Sequence, residues 1–250
     1  MPTAAVRTPA PARTEAGSPV DSAKAPTLSI PRYLQRHYWW AYIHPNAIRF
    51  FDHDPIINFI LWGNYAKLRN AALDELGETL PGQTLQVACA YGDLTPHLAE
   101  RAAAGGGRLD VIDIVPAQLR NTRRKLKADA PVRLLNMDAS DLNLADESYD
   151  RAIVYLLFHE QPDEYRERTL AEIFRVVKPG GTVVIIDFAQ PEWWHPWRYW
   201  FKPLLAVLEP FALDLWKKPL TSWMPAPWSE REWPRRQYFG GYFQKLVITR

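Results

Sequence analysis

The sequence has few of the features that mark specialised classes of protein. One cysteine in 250 residues excludes an internal disulfide and a thiolate metal cluster, which fits a reducing compartment. The net charge is only +2, whereas a dedicated nucleic-acid binder usually has a strong basic excess. No apolar run approaches the roughly 18 residues that a membrane-spanning helix needs. We therefore expect a globular chain that neither binds nucleic acid nor crosses a membrane.

Tryptophan and proline are abundant, with 11 and 22 copies, and the tryptophans are unevenly placed. Eight lie between Trp193 and Trp233, and the other three precede residue 63. Residues 1–31 are rich in Ala, Pro, Thr and Ser and predict a disordered tail, because they can bury little apolar surface. We divide the rest into an N-terminal helical segment (32–78), a core (79–190), an aromatic and Pro-rich lid insertion (191–238) and a final strand (239–250).

The core alternates short apolar runs with helical patterns. Strands are predicted at 84–90, 108–114, 132–137, 151–157 and 182–188, and helices at 94–103, 117–128 and 164–177. Upstream, Asp54-Pro55 begins a helix that the apolar spacing continues to Gly77. Alternating strands and helices indicate βαβ units with right-handed crossovers. The fold class is therefore α/β: a Rossmann-like, doubly wound, mostly parallel sheet with helices on both faces.

Ligands of such sheets bind at the carboxyl ends of the strands, so the residues after each strand are the candidates. Only one glycine, Gly92, follows the first strand, which is not the G-x-G-x-x-G dinucleotide pattern. Asp113 ends the second strand, 21 residues beyond Gly92, and is placed either to bind the hydroxyls of a ribose or to cap the next helix. Asp138 and Ala139 follow the third strand, where Asp138 can accept a hydrogen bond from an adenine amino group.

The fourth strand ends in the run Tyr155-Leu156-Leu157-Phe158-His159-Glu160, which supplies the candidate catalytic residues His159, Glu160 and Tyr155. His159 and Glu160 are also the candidate metal ligands. The alternative is a buried histidine beside a glutamate that caps the following helix. His195 is a second candidate or a member of an aromatic cluster, and Cys89 is interpreted as a small packing residue.

In order and spacing, these motifs resemble the class I S-adenosylmethionine-dependent methyltransferases over residues 76–188, closest to the quinone C-methyltransferase branch. The carriers are Leu85–Thr95, Val111–Asp113, Met137–Ala139, Ser148–Asp150 and Glu172–Gly181. The resemblance implies S-adenosylmethionine as co-substrate, bound by Gln86, Ala88, Ala90, Tyr91, Gly92, Asp113, Asp138 and Ala139. Three positions depart from the family: Gln86 replaces an acid, Ala90 a glycine and Tyr91 a smaller residue. All three are expected around the methionyl end of the cofactor.

Flanking motifs resemble the rhodoquinone biosynthesis protein family, a branch of those methyltransferases. They include Tyr38–Tyr42, Ile60–Tyr65, His159–Pro162, Trp194–Pro196, Leu208–Ala212 and Phe239–Tyr242. The resemblance implies a seven-stranded sheet and replacement of a ubiquinone ring methoxy group by an amino group, with S-adenosylmethionine as amino donor and Mn²⁺ assisting. The alternatives are a conventional methyltransferase of a lipophilic quinone or phenol, and a non-catalytic relative that binds a lipid or a partner enzyme.

The insertion mixes Trp and Tyr with Arg198, Lys202, Lys217 and Lys218, a composition that suits a membrane interface. The alternative is an ordinary aromatic core under a Pro-rich cap. With a lipophilic quinone as substrate we expect a cytoplasmic protein on the inner membrane surface, or on the mitochondrial matrix side in a eukaryote. The sequence leaves the oligomeric state open.

Overall fold

The computed structural model describes residues 28–89 and 91–250, so most of the predicted disordered tail, and Ala90, lie outside the described residues. The described chain contains a seven-stranded sheet in the order β3-β2-β1-β4-β5-β7-β6. Strands β1 to β5 pair in parallel, and β7 runs antiparallel to both β5 and β6. The strands are β1 (Gln83–Val87), β2 (Arg108–Asp113), β3 (Val132–Asn136), β4 (Tyr149–Tyr155), β5 (Val177–Phe188), β6 (Arg235–Tyr238) and β7 (Phe243–Thr249). This confirms the predicted mostly parallel, Rossmann-like α/β sheet.

Helices surround the sheet, and a π-helix (Leu34–Ile43) precedes them. In chain order they are α1 (Pro45–Phe51), α2 (Asp54–Ile60), α3 (Tyr65–Leu76), α4 (Leu94–Ala104), α5 (Pro116–Lys125), α6 (Asp163–Val176), α7 (Trp197–Leu208) and α8 (Asp214–Lys217). The central strands are buried along nearly their whole length, because both faces of the sheet are covered. Their continuous apolar runs are the feature that identified them in the sequence.

Four element boundaries differ from the prediction. The helix predicted from Asp54 to Gly77 is two helices, because Trp62 and Gly63 adopt left-handed backbone angles of φ 53° and 75°. Strand β1 ends at Val87 rather than at residue 90, since Ala88 also has a positive φ of 66°. Residues 178–181 continue β5 instead of only closing the preceding helix. Strand β6 was missed, so the last residues of the predicted lid belong to the sheet.

Arg166, on α6, joins the lid to the core and is completely buried. Its Nε donates to the carbonyl of Phe158 at 2.8 Å, and its Nη2 donates to the carbonyl of Phe211 at 2.6 Å. Its Nη1 binds the carboxylate of Asp163 at 2.8 Å. A buried guanidinium with these partners fixes the turn after β4 relative to the segment after α7. That turn carries His159 and Glu160.

Candidate active site

A cavity of about 530 Å³ lies at the carboxyl ends of the parallel strands, within the range of roughly 300–1,000 Å³ typical of small-molecule sites. Its floor comes from the residues that follow β1 to β5, and its walls come from the N-terminal segment and α7. The floor residues include Ala88, Cys89, Tyr91, Asp113, Ile114, Met137, Asp138, Ala139, Tyr155, His159, Glu160 and Phe188. The cavity thus lies at the edge of the sheet where the sequence predicts a ligand site.

Asp113 lines the cavity and is almost completely buried. Its Oδ1 accepts a hydrogen bond from the backbone N–H of Val115 at 2.8 Å, and its Oδ2 accepts from the backbone N–H and the Sγ of Cys89, both at 3.1 Å. Burial raises the pKa of this carboxyl, while the hydrogen bonds oppose the shift. A carboxylate accepts about four hydrogen bonds, so Asp113 keeps capacity for a ligand hydroxyl. The cap and the ligand-binding interpretations are thus compatible.

Asp138 and Ala139 line the same cavity, next to the end of β3. The Oδ1 atom of Asp138 accepts hydrogen bonds from the backbone N–H and the hydroxyl of Ser140, each at 2.8 Å. Those bonds orient the carboxylate and leave its Oδ2 available to an amino group. Together, Asp113 and Asp138 form an acceptor pair that suits the ribose and adenine of an adenosine.

Gln86 and Gly92 do not line the cavity, although the resemblance placed both at the cofactor. Gln86 is fully buried on β1, where its Nε2 donates to the carbonyl of Ala88 at 3.1 Å. Its Oε1 is buried without a hydrogen-bond partner among the described residues. Because Gln86 is fully buried and does not line the cavity, this oxygen does not face the ligand space, and Gln86 can act on a bound amine only from behind the loop. Gln86 therefore fits a role behind the loop that carries the methionyl end.

The loop after β1 is bonded to the N-terminal segment. The hydroxyl of Tyr91 donates to the carbonyl of Ala41 at 2.6 Å, and the Tyr91 ring stacks on Tyr42 with centroids 5.6 Å apart. The backbone N–H of Gly92 donates to the carboxylate of Asp52 at 2.7 Å, and Lys125 binds the same carboxylate at 2.9 Å. Tyr91 therefore holds a wall of the cavity in place. From the resemblance, Tyr91 was expected to bind the methionyl end of the cofactor.

His159 and Glu160 lie together in the cavity, as predicted, in a short 3₁₀ turn (Phe158–Glu160). The Nδ1 of His159 lies 3.0 Å from Oδ1 of Asp187, and its Nε2 lies 3.6 Å from Oε1 of Glu160. Burial disfavours the imidazolium, but the Asp187 carboxylate outweighs it and raises the pKa of His159 to about 9. Glu160 does not cap α6, whose preceding residue is Pro162. The pair therefore faces the ligand space instead of serving the helix.

Two further residues with polar groups, Glu209 and Tyr155, line the cavity. Glu209, after α7, lines it and has a buried Oε2 without a partner among the described residues. Burial raises the pKa values of both Glu160 and Glu209. Tyr155 is buried and lines the cavity, but its hydroxyl points to the carbonyl of Tyr65 at 3.4 Å. That partner makes Tyr155 a packing residue with its polar group already engaged.

The predicted metal site is not supported. Within residues 28–89 and 91–250, no group of three or more His, Cys, Asp or Glu side chains is placed to hold a metal ion. The residues present therefore do not fit Mn²⁺.

The remaining candidates, His195 and Cys89, are buried in contact with neighbouring side chains. His195 is buried against Phe239, with ring centroids 5.0 Å apart, and does not line the cavity. Cys89 is buried with its thiol on Asp113, and burial raises its pKa. The sequence analysis missed Asp187 and Glu209 as site residues. Asp187 could have been found, because it is an acid at the end of a parallel strand. Glu209 had no signal in the sequence beyond the flanking motif in which it lies.

Proteins of known name show which class of protein this chain resembles. Residues 84–181 match a family model described as "Methyltransferase domain". A demethylmenaquinone methyltransferase of Thermus thermophilus is 32% identical over 140 residues, which are 56% of this chain and 62% of that protein. One of Bacillus velezensis is 26% identical over 200 residues, covering 79% and 84% of the two chains.

Solved structures show the same fold. A SAM-dependent methyltransferase from Aquifex aeolicus superposes with a TM-score of 0.50 at 19% identity, over 82% of this chain and 97% of that one. The N-methyltransferase NodS from Bradyrhizobium japonicum, in complex with S-adenosyl-L-homocysteine, gives 0.51 at 16% identity, over 86% and 95%. The chain therefore has the fold of class I S-adenosylmethionine-dependent methyltransferases, and its residues 84–181 are similar to a methyltransferase domain. The two relatives described above both carry the name demethylmenaquinone methyltransferase.

Proposed function

We propose that this chain transfers a group from S-adenosylmethionine to the ring of a lipophilic quinone. The observation that carries the proposal is that one cavity combines the acceptors Asp113 and Asp138 with walls of aromatic and aliphatic side chains and with the polar pair His159 and Glu160. The first pair suits an adenosine, the walls suit a lipophilic substrate, and the second pair suits the oxygens of a quinone ring. The names of the demethylmenaquinone methyltransferase relatives support the substrate class.

Methyl transfer to a ring carbon is the reaction that those names favour. The bound sulfonium supplies an electrophilic methyl group. A reduced quinone ring is the nucleophile, because its hydroxyl groups push electrons to the ring carbon that forms the new bond. Glu160 is our candidate base: as a carboxylate it takes up the proton that leaves the ring, and a carboxyl pKa raised by burial suits such an exchange near neutral pH. The His159 imidazolium lies 3.6 Å from Glu160 and stabilises negative charge beside it.

Amino transfer is the second candidate, and Gln86 favours it. A carboxylate at this position would stabilise the protonated methionyl amine, which cannot attack a ring. The neutral amide of Gln86 adds no negative charge behind the loop, so it leaves the amine easier to deprotonate than a carboxylate there would. In this reaction the neutral methionyl nitrogen forms a bond to the ring carbon, and the proton it loses leaves with the methoxy group as methanol. The bond between the nitrogen and the methionyl α-carbon then breaks by elimination: the nitrogen keeps the electron pair and gains a proton, the adjacent β-carbon loses a proton, and the remaining sulfonium fragment leaves as an alkene.

Mass spectrometry of the quinone distinguishes the candidates. The purified protein is incubated with S-adenosylmethionine labelled separately in the methyl carbon and in the amine nitrogen, together with a methoxylated or an unmethylated quinone in its oxidised and reduced forms. Gain of the methyl label supports methyl transfer, and exchange of methoxy for labelled amino supports amination. Absence of either product, despite measurable binding of S-adenosylhomocysteine, favours a non-catalytic ligand-binding protein.

The variant Gln86→Glu separates the two reactions by the charge at one position. We expect it to impair amination while it retains S-adenosylhomocysteine affinity, because the added carboxylate holds the amine protonated. Methyl transfer does not use the amine and should be retained. Equal amination by Gln86→Glu and the parent protein would contradict the role given to this amide. Glu160→Gln replaces the candidate base by an amide of the same size. It should slow methyl transfer without weakening cofactor binding.

A further inference from the structure

The exposed apolar side chains are concentrated in one region of the described chain. Every large hydrophobic residue that is exposed there lies within residues 28–60 or 193–208. Several are more exposed than is usual for such side chains: Phe59 is 73% exposed, Trp193 and Trp200 are 74% and Val207 is 79%. We call this set of exposed side chains the apolar rim. Exposed apolar side chains that cluster on one part of a surface are a mark of a binding site.

The two halves of the apolar rim meet at Trp62. Its ring packs on Phe201 of α7 with centroids 4.2 Å apart and stacks on Trp197 at 6.3 Å. Phe59, at the end of α2, lies 6.2 Å from the same ring. The N-terminal segment and α7 therefore form one surface, although about 140 residues separate them in the sequence.

The apolar rim surrounds the mouth of the cavity. Five of its side chains both face solvent and line the cavity, namely Trp40, Phe59, Ile60, Leu204 and Leu208. These residues come from both halves of the rim. An apolar molecule held against the rim is consequently in direct contact with the cavity wall.

The charges in the two segments are mainly positive. They contain five basic side chains, whereas the acids are Asp52 and Asp54, and Asp52 is bound to Lys125. Residues 193–208 contain no acid at all. Trp and Tyr beside Arg and Lys are suited to the headgroup region of an anionic bilayer. The basic side chains are Arg32, Arg36, Arg49, Arg198 and Lys202.

We infer that the apolar rim docks the protein on an anionic phospholipid bilayer and opens the cavity toward the acyl chains. Within residues 28–89 and 91–250, no helix is long and apolar enough to cross a membrane, and the docking needs none. The docking step stands without the proposed function. Only its use, delivery of a lipid-dissolved quinone from the bilayer, depends on that function.

The test is cosedimentation with vesicles, without quinone or S-adenosylmethionine. We expect binding to vesicles in which a third of the lipid is phosphatidylglycerol, and weaker, salt-insensitive binding to phosphatidylcholine alone. Removing two rim side chains (Trp200→Ser with Val207→Ser) should lower the partition coefficient by about tenfold or more on both vesicles. Lys202→Glu should lower it by about tenfold on the anionic vesicles only. Arg108→Glu is the control, because Arg108 is exposed at the amino end of β2, opposite the cavity.

Two results would overturn the inference. One is a monomeric protein that stays in the supernatant with both kinds of vesicle. The other is a dimer in the absence of lipid that dissociates when Trp200 and Val207 are replaced, which would make the rim a self-association surface. Helical content and melting of each variant show that α7 is intact. In an active preparation, the rim variants should lose turnover of a long-tailed quinone in vesicles and keep turnover of a short-tailed one in solution.

Discussion

The contact between Asp187 and His159 gives a stability prediction with a defined pH range. Asp187→Asn removes the negative charge but keeps the size of the side chain. In the parent protein, Oδ2 of Asp187 accepts the backbone N–H groups of Leu157 at 3.1 Å and Phe158 at 2.7 Å. The amide oxygen of an asparagine can take over both bonds, and its NH₂ group then faces Nδ1 of His159. The variant loses the bond that Oδ1 accepts from the backbone N–H of Phe188 at 2.7 Å, but this loss does not depend on pH. The variant should therefore fold, with His159 neutral.

The magnitude follows from the pKa of His159, which Asp187 raises from an ordinary 6.5 to about 9 against the effect of burial. At about 1.36 kcal/mol per pH unit, this difference corresponds to about 3 kcal/mol of folding free energy. Because the folded-state pKa is raised, the contribution is fully present below about pH 6.5 and disappears as the pH rises through about 9. The variant lacks this contribution at every pH.

Urea unfolding of both proteins at about pH 6 and about pH 10 measures the effect. We expect the gap in unfolding free energy between the parent and Asp187→Asn to be about 3 kcal/mol wider at the lower pH. The same measurements on the parent and on Asp187→Asn, with Glu160→Gln added to both proteins, test whether Glu160 contributes to the change of this gap with pH. NMR titration of the His159 ring, assigned with His159→Gln, should give a pKa below 7 in the variant. A gap that is constant with pH would refute the ion pair.

Three further predictions concern the cofactor side. Gly92→Ala should destabilise the fold by about 1–3 kcal/mol in thermal or urea unfolding, because a Cβ there would lie 2.2 Å from the hydroxyl of Tyr65 at a φ of 85°. Tyr91→Phe should cost about 1 kcal/mol, the usual value of one hydrogen bond, by freeing the carbonyl of Ala41, and should increase protease cleavage of the N-terminal segment. Asp113→Asn should weaken S-adenosylhomocysteine binding in calorimetry by about 10- to 100-fold, and unchanged affinity would remove Asp113 from the ribose site.

The location of the site was predictable because the parallel order of strands fixes where their ends meet. Asp113 and Asp138 follow consecutive strands, so any doubly wound sheet places them at one edge. His159 was predictable for the same reason. The break at Trp62 was not, because the apolar spacing of a helix continues through it and only a left-handed backbone angle interrupts it. The apolar spacing of a helix indicates which side chains are buried, and the buried face continues across a short break in the helix.

Long-range contacts were the part that the sequence could not supply. Glu209 reaches the cavity only because the segment after α7 is fixed to the turn after β4 through Arg166. The sequence also could not show that the amide of Gln86 turns toward Ala88 and leaves its oxygen unpaired. Both facts depend on side-chain direction. Neither residue type nor spacing determines it.

The three departures from the methyltransferase pattern now separate into different roles. Tyr91 is engaged with Ala41 and Gln118, so its size is explained by holding the N-terminal wall and needs no contact with an amine. Ala90 lies outside the described residues. The case for amino transfer therefore depends on Gln86, whose side chain is a neutral amide buried behind the loop. Because Gln86→Glu restores the acid without changing the backbone of the loop, an altered ratio of amination to methyl transfer in this variant reports on the charge at that position alone.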